Sequence, residues 1–170
     1  MKLALQTLAI TLLIAACGSN SGKDSISKPF KFDRDKLDKL VKEKKAIYDI
    51  SKRGDGTLQW EKYYLGDSVK YELNFDSKSN LSRVTKFDEH GLPVWQEVYY
   101  PNGQRKAHYT IQTTKESGMV QTNYDGYFEQ YFENGNVMER GVYKNQVLVW
   151  VQKITKEGYP ADTTFYDYGQ

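Results

Sequence analysis

The chain has 170 residues, of which 24 are Lys or Arg and 22 are Asp or Glu, so its formal net charge is +2. This length fits one domain of ordinary size. Basic and acidic residues are interleaved, which argues against a nucleic-acid-binding protein, because such proteins concentrate Lys and Arg on one face. A single cysteine excludes a disulfide framework.

The N-terminus carries the most informative pattern in the sequence. Lys2 precedes an apolar stretch from Leu3 to Ala16, which is shorter than the roughly 20 residues that a membrane-spanning helix needs. Two small residues then precede the only cysteine, in the run Ile14-Ala15-Ala16-Cys17. This pattern resembles a bacterial lipoprotein signal peptide with its lipobox. The resemblance implies that residues 1–16 are removed and that Cys17 becomes the lipidated first residue.

The lipobox also implies a location. A lipoprotein of the bacterial cell envelope is held to membrane lipid through its acylated cysteine, here Cys17. By resemblance to enterobacterial sorting, the lack of Asp at position 18 favours the outer membrane. The acidic cluster that marks surface-exported lipoproteins in some other bacteria is missing, which favours the periplasmic face, while the inner membrane and the other leaflet stay open as alternatives. A plain secretory signal peptide with a cysteine at its border by chance is the remaining alternative.

A tether and a helix are predicted next. Residues 17–32 are predicted to form a lipidated flexible tether, because Gly, Ser and Asn dominate this segment. A helix is predicted in the segment 33–50, from Asp33 as N-cap to about Ile47. The apolar side chains that fall on one stripe at helical spacing are Leu37, Leu40, Val41 and Tyr48.

Charge is distributed unevenly along the chain. From Lys23 to Arg53 there are 11 Lys or Arg against 6 Asp or Glu, whereas from Gly54 to Gln170 there are 12 against 16. Each basic residue near an anionic bilayer contributes about 1 kcal/mol to binding. We therefore expect the N-terminal segment to lie along the membrane, with the acidic body pointing away. A solvated linker and helix face is the alternative explanation.

Residues 57–170 are predicted to form a repeat-built antiparallel β domain. Aromatic and β-branched residues alternate with period two, and turn signals such as Asp125-Gly126 separate the runs. The fold class is therefore mainly β: an antiparallel meander of repeated β-hairpins forming an elongated twisted sheet, with one N-terminal α-helix. Whether the sheet closes on itself is left open. The predicted strands are 57–64, 69–76, 81–88, 93–100, 104–112, 119–124, 127–133, 137–143, 147–154 and 162–168.

Short sequences repeat within this domain. The run Tyr99-Tyr100-Pro101-Asn102-Gly103-Gln104 matches Tyr131-Phe132-Glu133-Asn134-Gly135-Asn136, and Gly141-Val142-Tyr143-Lys144-Asn145 follows the second copy. These motifs resemble the bacterial MORN-repeat variant, with the best match over Tyr127 to Ile154 and a partial match over Val94 to Ile111. In this family each hairpin adds to an elongated sheet.

The chain departs from that family in one place. The family usually continues with Gly-x-Trp after the second turn, whereas Val147-Leu148-Val149-Trp150 keeps the Trp and lacks the Gly. The segment 82–92 is also similar to the tyrosine-aspartate repeats of secreted β-shell proteins.

The aromatic residues of the repeat are candidate partner-binding residues. They are Tyr99, Tyr100, Tyr131, Phe132 and Trp150. The alternative is structural, because cross-strand aromatic pairs stabilise a sheet by roughly 0.2–1 kcal/mol each. The strands 92–100 and 147–154 are apolar on both alternating faces, so both of their faces need cover. The predicted helix is the expected cover for one of them.

The sequence contains no recognisable catalytic or metal-binding motif. Its two histidines, His90 and His108, show neither His-x-His nor His-Glu-x-x-His spacing, and there is no Gly-x-Ser-x-Gly elbow or phosphate-binding glycine loop. Carboxylate pairs such as Asp88 with Glu89 are more simply explained as solvated turn residues. We therefore expect that the protein is not an enzyme and needs no cofactor or metal.

Together these features predict a non-enzymatic protein-binding module, anchored to membrane lipid by Cys17, with a protein partner in the cell envelope. The MORN-variant resemblance implies an antitoxin-like component. A sharper version is an immunity protein that captures a toxin, with acidic turns such as Asp88-Glu89 meeting a basic toxin surface. An envelope structural or assembly factor and a glycan-binding protein are the alternatives.

Overall fold

The computed structural model describes residues 32–116 and 119–167. The predicted signal peptide, Cys17 and nearly all of the predicted tether lie outside these residues. Among the described residues, no helix is long and apolar enough to cross a membrane.

One helix, α1, spans Arg34–Lys42 and is the only helix in the described part of the chain. Asp33 is its N-cap, as predicted, and its carboxylate accepts a backbone N–H of the first turn at 3.2 Å. The helix ends where Lys44 adopts the left-handed conformation, with φ 56°. The N–H of Lys45 then donates back to the carbonyl of Leu40 at 2.9 Å, which closes the last turn.

The predicted helical segment 33–50 is therefore wrong in its second half. Strand β1, Ile47–Lys52, occupies this part of the chain. Tyr48, which helical spacing placed on the stripe of Leu37, lies instead in β1. Glycine is the usual residue in the left-handed turn that ends a helix. A lysine in that position gave no sequence signal for the helix end.

Ten strands form a single antiparallel sheet, in which every strand pairs with its neighbours in sequence. The predicted meander with one N-terminal helix is confirmed. The sheet is open, since β1 and β10 each pair on one side only among the described strands. The strands after β1 are β2 (Leu58–Leu65), β3 (Ser68–Phe75), β4 (Leu81–Phe87), β5 (Pro93–Tyr99), β6 (Arg105–Glu116), β7 (Met119–Tyr131), β8 (Val137–Lys144), β9 (Val147–Ile154) and β10 (Pro160–Phe165).

The strand β7 joins two predicted strands. The sequence predicted strands at 119–124 and 127–133, with a turn at Asp125-Gly126, but the chain continues through this point in one strand. Gly126 has a φ of 94°, and a Cβ here would lie 3.2 Å from Thr110 Cγ2 on β6. The Asp-Gly pair forms a bulge that bends the strand without reversing it.

Five hairpin turns at one end of the sheet share one backbone pattern. In each turn the first residue donates its N–H to the carbonyl four residues later and accepts an N–H from the residue three positions later. These turns join β1 to β2, β3 to β4, β5 to β6, β7 to β8 and β9 to β10, so they all lie at the same end. Their first residues are Arg53, Asp76, Tyr100, Phe132 and Thr155.

The helix packs on one face of the first half of the sheet. Leu37 of α1 is buried as its stripe predicted, and Leu40 and Val41 pack at the margin of the same core. Trp95 of β5 belongs to this core, and β5 is one of the two strands that were predicted to need cover on both faces, one of them from the helix. The buried members of the core are Leu37, Tyr63, Leu73, Phe75, Val84 and Trp95.

The opposite face carries an aromatic cluster in the second half of the sheet. The ring centroids of Tyr109 and Tyr124 are 4.7 Å apart, and those of Phe128 and Tyr143 are 4.9 Å apart. Phe128 and its neighbour in sequence, Glu129, point to opposite faces, because side chains alternate along a strand. The two faces of the sheet are therefore packed by different residues.

Candidate functional site

One row of cross-strand partners crosses the whole sheet on the face that α1 covers in part. We call it the central row. Three of its members are buried carboxylates, since Glu61, Glu97 and Glu129 are 2%, 0% and 8% exposed. A buried charge is unfavourable unless it is paired and hydrogen-bonded. From β1 to β10 the row consists of Ile50, Glu61, Leu73, Val84, Glu97, His108, Glu129, Arg140, Gln152 and Thr163.

Glu61 of β2 is held by one guanidinium and two phenols. Arg34 Nη2 donates to both carboxylate oxygens, at 2.7 and 2.9 Å. The hydroxyls of Tyr48 and Tyr63 donate to it at 3.0 and 3.5 Å. Burial and the hydrogen bond to Glu61 raise the pKa of Tyr48 to about 12. Burial and the neighbouring negative charge of Glu61 also raise the pKa of Tyr63.

Glu97 of β5 lies beside the buried imidazole of His108. The hydroxyl of Tyr99 donates to Glu97 at 2.5 Å, and Arg105 Nη1 lies 3.3 Å from Glu97 Oε1. His108 Nδ1 is 3.6 Å from the same oxygen, and neither of these two atoms has a hydrogen-bond partner in the described chain. Burial and the charge of Glu97 raise the pKa of Tyr99.

Glu129 of β7 accepts hydrogen bonds from the hydroxyls of Tyr127 and Tyr131. Burial and these hydrogen bonds raise the pKa of both tyrosines. Arg105 Nη1 donates to the hydroxyl of Tyr131 at 3.2 Å, and its guanidinium lies 5.0 Å from the centroid of that ring. Arg105 thus links Glu97 to Glu129 through one tyrosine.

These three carboxylates were not among the residues predicted from the sequence, although the sequence contains a signal for them. Each is followed two residues later by a tyrosine that donates to it, in Glu61-Lys62-Tyr63, Glu97-Val98-Tyr99 and Glu129-Gln130-Tyr131. Tyr99 and Tyr131 are also the first residues of the aromatic pairs in the two repeated sequences. The repeat therefore begins two residues earlier than the aromatic pair, at the glutamate.

A pocket of about 360 Å³ lies between the start of α1 and two of the five matching turns. Arg34 and Arg105 line it, but both already pair with buried carboxylates, so they leave little net positive charge for an anionic ligand. An aromatic and polar lining of this kind suits a small polar ligand. The other side chains that define it are Phe32, Leu81, Tyr99, Gln104 and Tyr131.

The predicted partner-binding aromatics fall in two places. Tyr99 and Tyr131 line the pocket, and their hydroxyls are occupied by Glu97 and Glu129. The hydroxyl of Tyr100 donates to the carbonyl of Tyr131 at 2.9 Å. Phe132 begins the next turn and, like Tyr100, is half-buried. Packing within the sheet therefore uses much of the surface of these four side chains.

Trp150 lies apart from the other four, on the second half of the same face. It is half-buried and belongs to a second row, parallel to the central row, which we call the apolar row. This row consists of Tyr127, Val142, Trp150 and Phe165. Its first three members are half-buried, and Phe165 at the sheet edge is 76% exposed. Since α1 packs over the first half, no described helix or strand covers the apolar row.

The two histidines do not converge. His90 lies exposed in the turn between β4 and β5, where its N–H donates to the carboxylate of Asp88, and His108 is buried in β6. The backbone N–H groups of Leu92 and His90 lower the pKa of Asp88. Within residues 32–116 and 119–167, no group of three His, Cys, Asp or Glu side chains could hold a metal ion.

Comparisons with known proteins identify no family. No family model matches the chain, and no curated protein matches it. The MORN-variant and antitoxin resemblance therefore stays a prediction.

Three solved structures show a partial likeness. The chain aligns at 14% identity and a TM-score of 0.43 with a GtfA/B complex bound to UDP and GlcNAc, covering 70% of this chain and 24% of that one. It aligns at 11% identity and a TM-score of 0.42 with the Gap123 complex of Streptococcus agalactiae, covering 65% of this chain and 19% of that one. With TarM the identity is 14% and the TM-score 0.30, and the alignment covers 83% of this chain and 24% of that one. The chain spans about a quarter of these proteins or less, and a likeness this weak carries no argument about function.

Proposed function

We propose that this protein is a membrane-anchored bacterial lipoprotein that binds another protein at the cell envelope, without catalysing a reaction. The observation that carries the proposal is the apolar row on the uncovered half of the sheet. Three of its four side chains are half-buried and Phe165 is exposed, and adjoining apolar side chains that reach the surface mark interaction sites more often than isolated ones do. Trp150, chosen from the sequence, lies within this row.

The anchoring part of the proposal rests on the lipobox. Acylation of Cys17 would hold the protein on membrane lipid, with the periplasmic face of the outer membrane as the favoured location. The protein surface that meets the partner would then be the second half of the sheet, from β7 to β10.

The three buried carboxylates support a non-enzymatic role. Glu61, Glu97 and Glu129 each accept hydrogen bonds from tyrosine hydroxyls. A glycosidase instead needs two carboxyl groups flanking a substrate cleft. Glu61 joins α1 to the sheet through Arg34, whereas Glu97 and Glu129 are held by side chains of the sheet itself.

The test is an affinity purification from the native cell with the tagged full chain, read by mass spectrometry. The variant Val142→Lys places a charge in the middle of the apolar row. The matched control is Val147→Lys, because Val147 is on the surface of β9 but outside the row. Circular dichroism verifies that both variants fold, and Cys17→Ala gives the mislocalised control.

We expect one stoichiometric partner with the unmodified chain and with Val147→Lys, and its loss with Val142→Lys. A toxin as partner would specify an immunity or antitoxin-like protein, and an assembly protein would specify a scaffold. The proposal fails if a well-extracted envelope yields no partner, or if Val142→Lys keeps it.

A glycan-binding function is the second candidate, and the pocket beside the turns favours it. Tyr99 and Phe32 offer aromatic surface, while Gln104 and Arg105 offer hydrogen-bond donors to hydroxyl groups. Titration with saccharide fragments released from the native cell wall tests this function. Saturable binding that Gln104→Ala weakens would support it, and binding unaffected by that change would contradict it.

A further inference from the structure

The two edges of the open sheet differ in how their backbone groups are occupied. On β1, the carboxylate of Asp49 accepts the amide N–H of Ile50 at 2.8 Å. A strand added to this edge would need that donor. Charged side chains at a sheet edge protect natural proteins from unlimited strand addition in this way.

The edge formed by β10 lacks such a block in the described chain. The N–H of Tyr166 donates to the carbonyl of Val149 on β9 at 2.9 Å. Because the backbone groups of successive residues point to opposite sides of a strand, those of Thr164 also face β9, and those of Thr163 and Phe165 face outward. Neither Thr163 nor Phe165 has a strand partner on that outer side among the described residues.

The side chains of β10 also favour pairing. Asp162 is the only charged residue in this strand, and Phe165 at its end is largely exposed. Pro160 and the bulge that follows it restrict a new ladder to the part of the strand from Asp162 onward. An unblocked edge with exposed aromatic residues is a template for another strand.

A second copy of β10 fits this edge without opposing like charges. In an antiparallel register centred on Thr164, the outward backbone groups of Thr163 pair with those of Phe165 in the second copy. By symmetry, the outward groups of Phe165 pair with those of Thr163 in the second copy. Thr164 then faces Thr164, and Asp162 faces Tyr166, so the two carboxylates are not opposed. Threonine and aromatic cross-strand neighbours of this kind contribute roughly 0.2–1 kcal/mol each.

The same register joins the apolar rows of the two copies. A two-fold axis perpendicular to the sheet at Thr164 keeps equivalent faces on the same side. Phe165 then lies diagonal to Phe165 of the second copy, at a separation that aromatic side chains can bridge. The most exposed end of the apolar row is covered in this arrangement.

From these observations we propose that the chain forms a two-fold dimer in which β10 pairs with β10 of a second copy. Addition of β10 to β1 would be heterologous and would extend into an open filament. The Asp49 carboxylate opposes that addition, so association closes at two copies. This inference does not depend on the proposed envelope partner.

Disulfide trapping tests the register. The full chain carries Cys17→Ala throughout, so that an introduced thiol is the only cysteine. With Thr164→Cys we expect a covalent dimer on mild oxidation, because the two copies of residue 164 face each other at a Cα separation that a disulfide spans. Ile50→Cys, on the blocked edge, is the matched control and should form no covalent dimer.

Sedimentation of the full chain tests the backbone pairing. Thr163→Pro removes an outward amide and leaves the groups that face β9 in place, so we expect the mass to fall from dimer to monomer. Thr163→Val keeps the amide and a β-branched side chain of similar size, and should remain dimeric. Circular dichroism verifies that both variants keep their sheet.

The proposal is overturned by a monomeric mass for the unmodified chain, by equal trapping at positions 164 and 50, or by a dimer that Thr163→Pro leaves intact. The unmodified chain could instead be a monomer that captures an envelope protein, with only Thr163→Pro losing that protein. This result would also overturn the proposal, and it would assign the β10 edge to the captured protein.

Discussion

Arg34, the first residue of α1, binds both carboxylate oxygens of Glu61 through one guanidinium nitrogen, at 2.7 and 2.9 Å. Glu61 lies fully within the sheet, whereas the side chain of Arg34 remains 40% exposed. The helix therefore contributes a charge partner to the sheet as well as apolar cover. Tyr48 and Tyr63 complete the hydrogen bonding of this carboxylate.

Removing the guanidinium should destabilise the fold. For Arg34→Ala we expect the free energy of unfolding to fall by about 2 kcal/mol, because a buried carboxylate loses its charged partner while keeping its phenol donors. Urea denaturation measures the change. Lys39→Ala is the matched control on the same helix, since its pair with Glu43 is exposed, and its effect should stay within about 0.5 kcal/mol. Equal effects of the two changes would contradict this role of Arg34.

The elements that the sequence predicted correctly depend on local signals. Asp33 marks the helix start because a carboxylate suits the N-cap, and period-two alternation marks most strands. The burial of Glu61 depends on Arg34, 27 residues away in sequence, and on Tyr48 in a strand that was predicted as helix. Local patterns could not place these groups together. The glutamate two residues before each aromatic pair was the available signal, and it needed the register between strands to be interpreted.

The errors in element boundaries have a common cause in turn chemistry. Lys44 ends the helix in a conformation typical of glycine, so the strand β1 was missed. Asp125-Gly126 has the sequence of a hairpin turn but forms a bulge, because β6 and β7 pair on both sides of it. In both places long-range pairing decided the outcome against the local preference.

One glycine in the turn between β8 and β9 should stabilise the protein. Asn145 and Gln146 both have positive φ, 51° and 69°, which glutamine rarely adopts. Gln146→Gly should therefore raise the free energy of unfolding by about 1 kcal/mol. Asp67→Gly, at the same position of the β2–β3 turn but without a positive φ, is the control and should not stabilise the protein. The idea fails if urea midpoints shift alike for both.

Gly141 should tolerate no side chain. A Cβ there would overlap the carbonyl oxygen of Trp150 and lie 2.7 Å from Phe128 Cε1. Gly141→Ala should therefore destabilise the protein by about 3 kcal/mol, since the aromatic cluster must shift to make room. Gly54→Ala, where nothing lies within 4 Å, should change stability by less than about 0.5 kcal/mol. Thermal unfolding of the pair measures the difference, and a mild effect at Gly141 would show that the cluster yields easily.

The tyrosines that donate to buried carboxylates should make the fold sensitive to alkali. Burial and the adjacent glutamates raise the pKa of Tyr63, Tyr99 and Tyr131 above the ordinary 10.0, and that of Tyr48 to about 12. Below about pH 10 these phenols are protonated in both the folded and the unfolded chain, so their contribution to stability is fully present. Above pH 10 the unfolded chain releases protons that the folded chain retains. The free energy of unfolding should therefore fall as pH rises through 10 to 12 and beyond.

Urea denaturation at a series of alkaline pH values measures this dependence. Tyrosinate absorbance, followed in parallel, should show a group of phenols that ionise only as the protein unfolds. In Tyr99→Phe the slope of stability against pH should become shallower, because one shifted phenol is gone, although the variant starts from a lower stability with Glu97 short of a donor. Stability that stays constant from pH 10 to 12 would show that these hydroxyls ionise as readily in the folded chain as in the unfolded one.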